Sequence, residues 1–379
     1  MIASRREFLK GMAGTSATLL TAIDGWASAV PRRRPHRRID FIIAIMMENR
    51  SFDHFLGWHP TADAVQSGLT YVDCAGVPYD TFPLAPDFTG AQHPNPSNKY
   101  DVARLEYDGG AMDGFLCAGM NDEFAIGYYV EEDRPMFNAL ARQFTTLDRY
   151  FCSILGPTVP NRIFANAAQT DRLVGSSDLA TMPTIWDSLA RAGVSGAYYQ
   201  GEGAPGFLSS VWGAKYDSIT LPYAQFLTDA AAGTLPAVSF VHPVGPYDDH
   251  YPNDVRIGDA FLAEAVSAVA NGPAWPNAVI ILTYDEWGGF FDHVPPPRAD
   301  APNDVDPDLV DGKALLGFRV PTVIVSPFSV GHPRRPRVNS LVYDHTSILK
   351  MIEWRWGLDS LTARDASDDI QNLALALEL

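Results

Sequence analysis

Apolar, β-branched residues gather into four short continuous runs, 39–47, 237–241, 278–283 and 320–325, with 195–199 a weaker fifth. Runs of that length without polar alternation predict strands buried on both faces, as in a mostly parallel sheet. Between and after them the period lengthens to that of helices. Residues 184–192 place Ile185, Leu189 and Ala192 on one face and stop at Gly193, and the Ala-rich residues 259–270 stop at Asn271-Gly272-Pro273. Residues 346–356 bring Ile348, Leu349, Ile352 and Trp356 onto one side. Strands and helices alternating in this order predict an α/β fold, a three-layer α/β/α sandwich around a mostly parallel central sheet. Two stretches break the rhythm: residues 58–135, rich in Gly, Pro, Tyr and Asp, and residues 295–313, which open on three prolines. Neither reads as a linker, so 30–379 is expected to form a single domain with a loop-rich insertion at about 58–135.

The first residues carry a different signal. Arg5-Arg6, an apolar stretch over 11–23 and Ala27-Ser28-Ala29 read in order as a twin-arginine signal peptide spanning 1–29. The stretch is too short and too rich in Gly and Thr to span a bilayer, so no transmembrane anchor is expected. The twin-arginine export machinery is the implied partner, and the periplasm or the outside of the cell the destination. Cleavage removes three basic and two acidic side chains, moving the net charge from −17 to −18. So acidic a chain repels polyanions, which excludes a nucleic-acid partner and requires a local positive receptor for any phosphate-bearing substrate. Cys74, Cys117 and Cys152 allow at most one disulfide within the chain and lack metal-binding spacing. Oligomeric state is not set by these patterns.

Polar side chains concentrate where the expected strands end. The first strand runs into Glu48-Asn49-Arg50-Ser51-Phe52-Asp53-His54, the second leads to His242 and Asp248-Asp249-His250, and the third to Tyr284-Asp285-Glu286. Any one of these clusters could be a helix cap or a turn. In open α/β sheets, however, ligands bind outside the carboxyl ends of the strands, so the three can share one pocket. Adjacent Asp285 and Glu286 would repel each other there without a cation, which points to a divalent metal. Gly156-Pro157-Thr158-Val159-Pro160-Asn161-Arg162 precedes a helical stretch at 163–169 that Pro160 or the next residues are placed to open. A hydroxyl just ahead of that helix, Thr158, would meet free backbone N–H groups suited to phosphate.

In these blocks the chain resembles the bacterial phospholipase C and acid phosphatase family, a branch of the alkaline phosphatase superfamily. The residues that carry the resemblance are 47–57, Gly110-Ala111-Met112-Asp113-Gly114-Phe115, the 156–162 loop, Asp248-Asp249-His250, the fourteen residues 284–297 and the block 343–350. The resemblance implies an alkaline-phosphatase-like fold and a secreted, metal-dependent phosphoesterase of phospholipase C type. Thr158 is then the nucleophile, and Glu48, Asn49, Asp285 and Glu286 join the Thr158 oxygen in holding one divalent metal ion, with Ca, Mg, Mn and Zn all open. His250 and His345 are expected as active-site imidazoles, Asp249 as an orienter and His293 as a further catalytic candidate. A second ion on Asp249, His250 and His345 would make a two-metal site. An Asn, Asn98, stands where many relatives carry a His. The chain also stops soon after its last helical block, so no counterpart of the C-terminal β domains of larger phospholipases C is expected.

The chemistry follows from the groups. A Thr hydroxyl is a weak nucleophile until a cation lowers its pKa. The helix N-terminus, Arg162 and a His are expected to receive the equatorial phosphate oxygens, and a protonated His250 or His345 to supply the leaving alcohol with a proton. The expected substrate is a phosphate ester or phospholipid, cleaved as a phosphodiester through phospho-Thr158. A phosphomonoesterase using the same site is the alternative, and a phosphate- or phospholipid-binding protein without turnover the third reading.

Overall fold

The computed structural model describes Trp26, residues 39–202 and residues 206–379. The twin-arginine segment and its cleavage site therefore lie outside the described residues, Trp26 excepted. Eight strands form the central sheet: β1 (Phe41–Met47), β2 (Thr145–Leu147), β3 (Gly196–Gln200), β4 (Thr220–Pro222), β5 (Val238–His242), β6 (Ala278–Tyr284), β7 (Val323–Val325) and β8 (Arg337–Asn339). Their order across the sheet is β8-β2-β7-β6-β1-β5-β3-β4. Only β7 runs against the rest, pairing antiparallel with both β6 and β2. The other pairings are parallel.

All five expected strands are present, shifted by a residue or two at their ends, and the 320–325 run shrinks to three paired residues. β1 and β6 are the longest strands, apolar and buried nearly throughout, as strands covered on both faces must be. The covering helices form two separate sets. On one side α1 (Thr158–Ala167) packs against α2 (Ile185–Ala192) and α4 (Thr346–Trp356); on the other, α3 (Val255–Ala270) packs against the helices Pro135–Gln143 and Tyr223–Ala232. The result is the three-layer α/β/α arrangement. α2 ends at Gly193 in the left-handed conformation, while α3 starts four residues before the expected 259 because Asp254 caps it, its carboxylate accepting from the Arg256 N–H.

Residues 58–135 hold short paired segments, including the hairpin Thr70–Val72 with Pro78–Asp80, the α-helix Tyr100–Tyr107 and short 3-10 turns. Cys74 and Cys117 are joined by a disulfide within this stretch, and Cys152 is free and buried. No helix among the described residues is long and apolar enough to cross a membrane.

Candidate active site

β6, β1 and β5 are parallel neighbours, so their carboxyl ends open at one place. The register sets what meets there. Met47 pairs with Tyr284, which puts Glu48 beside Asp285, and Ile45 pairs with Val241, which brings His242 level with Met46. Backbone bonds tie the loops that follow: Asp285 N–H to the Met47 carbonyl at 3.2 Å, Glu48 N–H to Asp248 at 2.8 Å and Arg50 N–H to Glu286 at 2.9 Å. Two glycines make the close approach possible. Gly288 has φ 69° and a Cβ there would lie 2.1 Å from the Asn49 carbonyl oxygen; at Gly289, φ 79°, a Cβ would strike Pro96 and Ser97 at 2.6 Å. Gly289 thus lets the 96–98 segment reach Glu286.

Thr158 is the first residue of α1, and the helix begins five residues before the expected 163. Pro160 opens nothing; it falls within the first turn, where its missing N–H is not needed. The loop before it is shaped by Asn161, whose amide donates to the carbonyls of Ile154, Gly156 and Pro157 and whose Oδ1 accepts from Ile154 N–H. The half-buried Thr158 hydroxyl lies 3.3 Å from Asn49 Oδ1. The first-turn N–H groups of Thr158 and Val159 have no helical acceptors, so an anion can be received beside the hydroxyl.

Around this pair stand three carboxylates and one guanidinium. Arg162 Nε meets Asp285 Oδ2 at 3.0 Å, and Arg162 Nη2 meets Glu48 Oε1 at 2.9 Å while also donating to the Met46 and Met47 carbonyls. Arg162 is therefore a buried brace beneath the acids rather than the expected receptor for phosphate oxygens. Asp285 Oδ1 accepts from the N–H groups of Asn49 and Glu286. Glu286 accepts from Asn98 Nδ2 at 2.6 Å and from Gly288 N–H at 2.7 Å. Burial, then the charge of Glu48, pushes Asp285 up to about 6, and burial with the charge of Asp285 raises Glu286 well above the usual carboxylate range.

Two groups of three acid or His side chains among the described residues have ligand atoms within 4.8 Å of one another: Asp53, Asp292 and His293, and His93, Asp122 and Glu123. Glu48, Asp285 and Glu286 do not form such a group, because Arg162 draws the first two and Asn98 with Gly288 holds the third. Their chemistry still fits a hard divalent cation. Three carboxylates, an amide oxygen and a hydroxyl stand on neighbouring segments, and one guanidinium leaves the acids short of positive charge. Asp249, His250 and His345 do not come together as a second ligand set.

The imidazoles divide by their partners. His345 is fully buried; its Nε2 donates to the Asp285 carbonyl at 2.6 Å, which leaves Nδ1 to accept from Tyr150 OH at 3.2 Å. Burial lowers its pKa, so the ring is neutral and its nitrogens are occupied. His250 is half-buried, with Nδ1 on the Tyr251 carbonyl and no partner at Nε2 among the described residues. Asp249 does not orient it. The Asp249 carboxylate is bound by Arg134 Nη2 and Tyr284 OH, each at 2.7 Å, and the side chain that accepts from the His250 N–H is Asp248. His293 lies in another cluster altogether: its ring nitrogens meet Asp53 and Asp63, and Arg319 bridges Asp53 and Asp292 alongside. That guanidinium already balances the buried acids there.

His242, expected at a strand end but given no role there, also reaches this site. Its Nε2 is 3.7 Å from Glu48 Oε1, and its Nδ1 is 2.7 Å from Tyr198 OH. Its place at the end of a strand beside β1 was the available signal.

The phosphoesterase family profile matches residues 39–359. Phospholipase C A of Mycobacterium tuberculosis is 31% identical over 437 aligned residues, covering 94% of this chain and 81% of that protein. Non-specific phospholipase C6 of Arabidopsis thaliana is 31% identical over 370, covering 86% and 70%. Among solved structures, a protein in the alkaline phosphatase superfamily from Vibrio parahaemolyticus aligns with TM-score 0.42 and 9% identity, over 92% of this chain and 78% of that one.

Proposed function

The chain belongs to the phosphoesterase family and is a phosphoric ester hydrolase, and from that premise we propose that it is an exported, metal-dependent phospholipase C acting through phospho-Thr158. The observation that carries this reading is the Thr158 hydroxyl 3.3 Å from Asn49 Oδ1, at a helix N-terminus beside three crowded carboxylates. Glu48, Asn49, Asp285 and Glu286, with the Thr158 oxygen, would hold one divalent cation, which supplies the Lewis acidity that makes the hydroxyl a competent nucleophile.

The chain's own groups do the rest. Thr158 Oγ1, its proton passed to solvent, attacks phosphorus while the first-turn N–H groups of α1 receive phosphate oxygens. The bond from phosphorus to the diacylglycerol oxygen breaks, and His250 Nε2, without a partner among the described residues, gives that oxygen its proton. Neutral His250 then takes a proton from water, which attacks phosphorus; the bond to Oγ1 breaks, Thr158 regains a proton from solvent, and the phosphorylated headgroup leaves. His345 holds the Asp285 backbone, and His242 stands against Glu48. Export is supported by the twin-arginine start and by the Cys74–Cys117 pair, which suits an oxidising compartment.

The test is hydrolysis by metal-stripped and reloaded protein on a phosphate monoester and a phosphocholine diester side by side. Faster, metal-dependent diester cleavage is expected. A monoester preference would make the enzyme a phosphatase on the same site, and no turnover of either would leave a binding role.

A further inference from the structure

Five of the thirteen large apolar side chains exposed among the described residues fall between residues 70 and 120: Val72, Val77, Tyr79, Leu105 and Met120. Met120 is 79% exposed and Leu105 60%. The disulfide joins the 70–80 hairpin to the 117–120 turn, and Gly119 lies so close to Val102 and Ser97 that a Cβ would be 3.2 and 3.4 Å from them. Leu105, three residues beyond Val102, shares that face of the helix Tyr100–Tyr107. Exposed apolar side chains brought together in this way mark a docking surface rather than scattered exposure.

This surface borders the reaction centre. Asn98 reaches Glu286, Ser97 N–H is held by Asn121, and Arg104 Nη1 donates to the Leu155 carbonyl of the nucleophile loop at 3.0 Å. Exposed Asp101, Asp108 and Asp113 lie among the apolar residues. Such a rim repels an anionic lipid surface and suits headgroups that end in a cation.

We propose that the 70–120 segment seats the enzyme on a zwitterionic phospholipid surface, with Leu105 and Met120 entering the headgroup boundary beside the site. This rests on the phospholipase reading. The experiment compares the full chain with a Leu105→Ser/Met120→Ser variant on phosphatidylcholine vesicles and on a water-soluble phosphocholine diester. Vesicle hydrolysis should fall roughly tenfold with the soluble rate within about twofold. An unchanged vesicle rate, or an equal loss on both substrates, would overturn the proposal.

Flotation with vesicles separates docking from catalysis. The Thr158→Ala protein should float with phosphatidylcholine vesicles, more weakly when phosphatidylserine is added, and not at all once Leu105 and Met120 are also replaced. Flotation without turnover of any diester would sink the phospholipase reading and keep the docking surface. A dimer in sedimentation that the double variant dissolves would instead make the face a contact between copies of this chain and overturn a lipid role.

Discussion

A threonine hydroxyl near an amide oxygen does nothing by itself in water; its setting gives it a reaction. Thr158→Ala should lower turnover by roughly four to six orders of magnitude and leave metal content near that of the parent. Asp285→Asn, by contrast, should weaken metal binding beyond the roughly 10–100-fold that outer-sphere partners are worth, as metal analysis after dialysis would read; full occupancy would remove Asp285 from the ligands. If His250 protonates the departing alcohol, His250→Asn should cost about 10²–10⁴ in kcat on an alkyl diester and far less on a nitrophenyl ester, whose leaving group needs no proton. Equal losses on both would assign His250 another role. That Glu48, Asn49, Asp285 and Glu286 lie side by side was legible because they follow the ends of two buried strands. Asp249 was not: its left-handed backbone, φ 70°, turns the carboxylate to Arg134 and Tyr284, and adjacency to His250 in sequence carries no such direction. His242 was named at the end of its strand but given no role, since nothing in the sequence shows that the neighbouring strand brings it to Glu48.

Between elements, the Arg319 cluster ties the helix Phe52–Leu56 to the 292–294 segment. Arg319 also donates to the Asp63 and Asp148 carbonyls, so one guanidinium gathers four distant stretches of chain. Burial pulls the His293 imidazole down, but the hydrogen bond and charge of Asp53 and the charge of Asp292 outweigh it and hold the pKa at about 9. A folded pKa above the unfolded 6.5 means stability that is fully present below pH 6.5 and lost as pH rises through 9. The contribution, discounted for partial exposure, is about 1–2 kcal/mol. Thermal midpoints should therefore fall between pH 7 and 10, and His293→Gln should flatten that decline; an unchanged slope would show that another group sets it. The long strands could be read from unbroken apolar runs and α4 from its helical period. β2, β4 and β8 could not, since three residues are too few to show a period, and α1 was read late because Pro160 looks like a beginning.

At the level of the molecule, the α/β order was legible because β1, β5 and β6 are apolar on both faces. The antiparallel direction of β7 was not, because a buried run has no polar side from which to read orientation. The Cys74–Cys117 link closes a separation of 43 residues, within the stretch where apolar periodicity is weakest. Replacing both by Ser should cost about 2–4 kcal/mol, read as a lower denaturant midpoint; no change would mean that packing alone holds the segment. The sheet order has a consequence for how the protein is made. β1, the first strand among the described residues, becomes the middle of the sheet, and its neighbours begin only at residues 238 and 278. A nascent chain that stops short of them carries a greasy ribbon with its hydrogen-bonding edges bare, the kind of template that other chains pair with. No strand among the described residues of the first half pairs with it, so synthesis must run to the second half, or a chaperone must hold the first, before the sheet can close on its own centre.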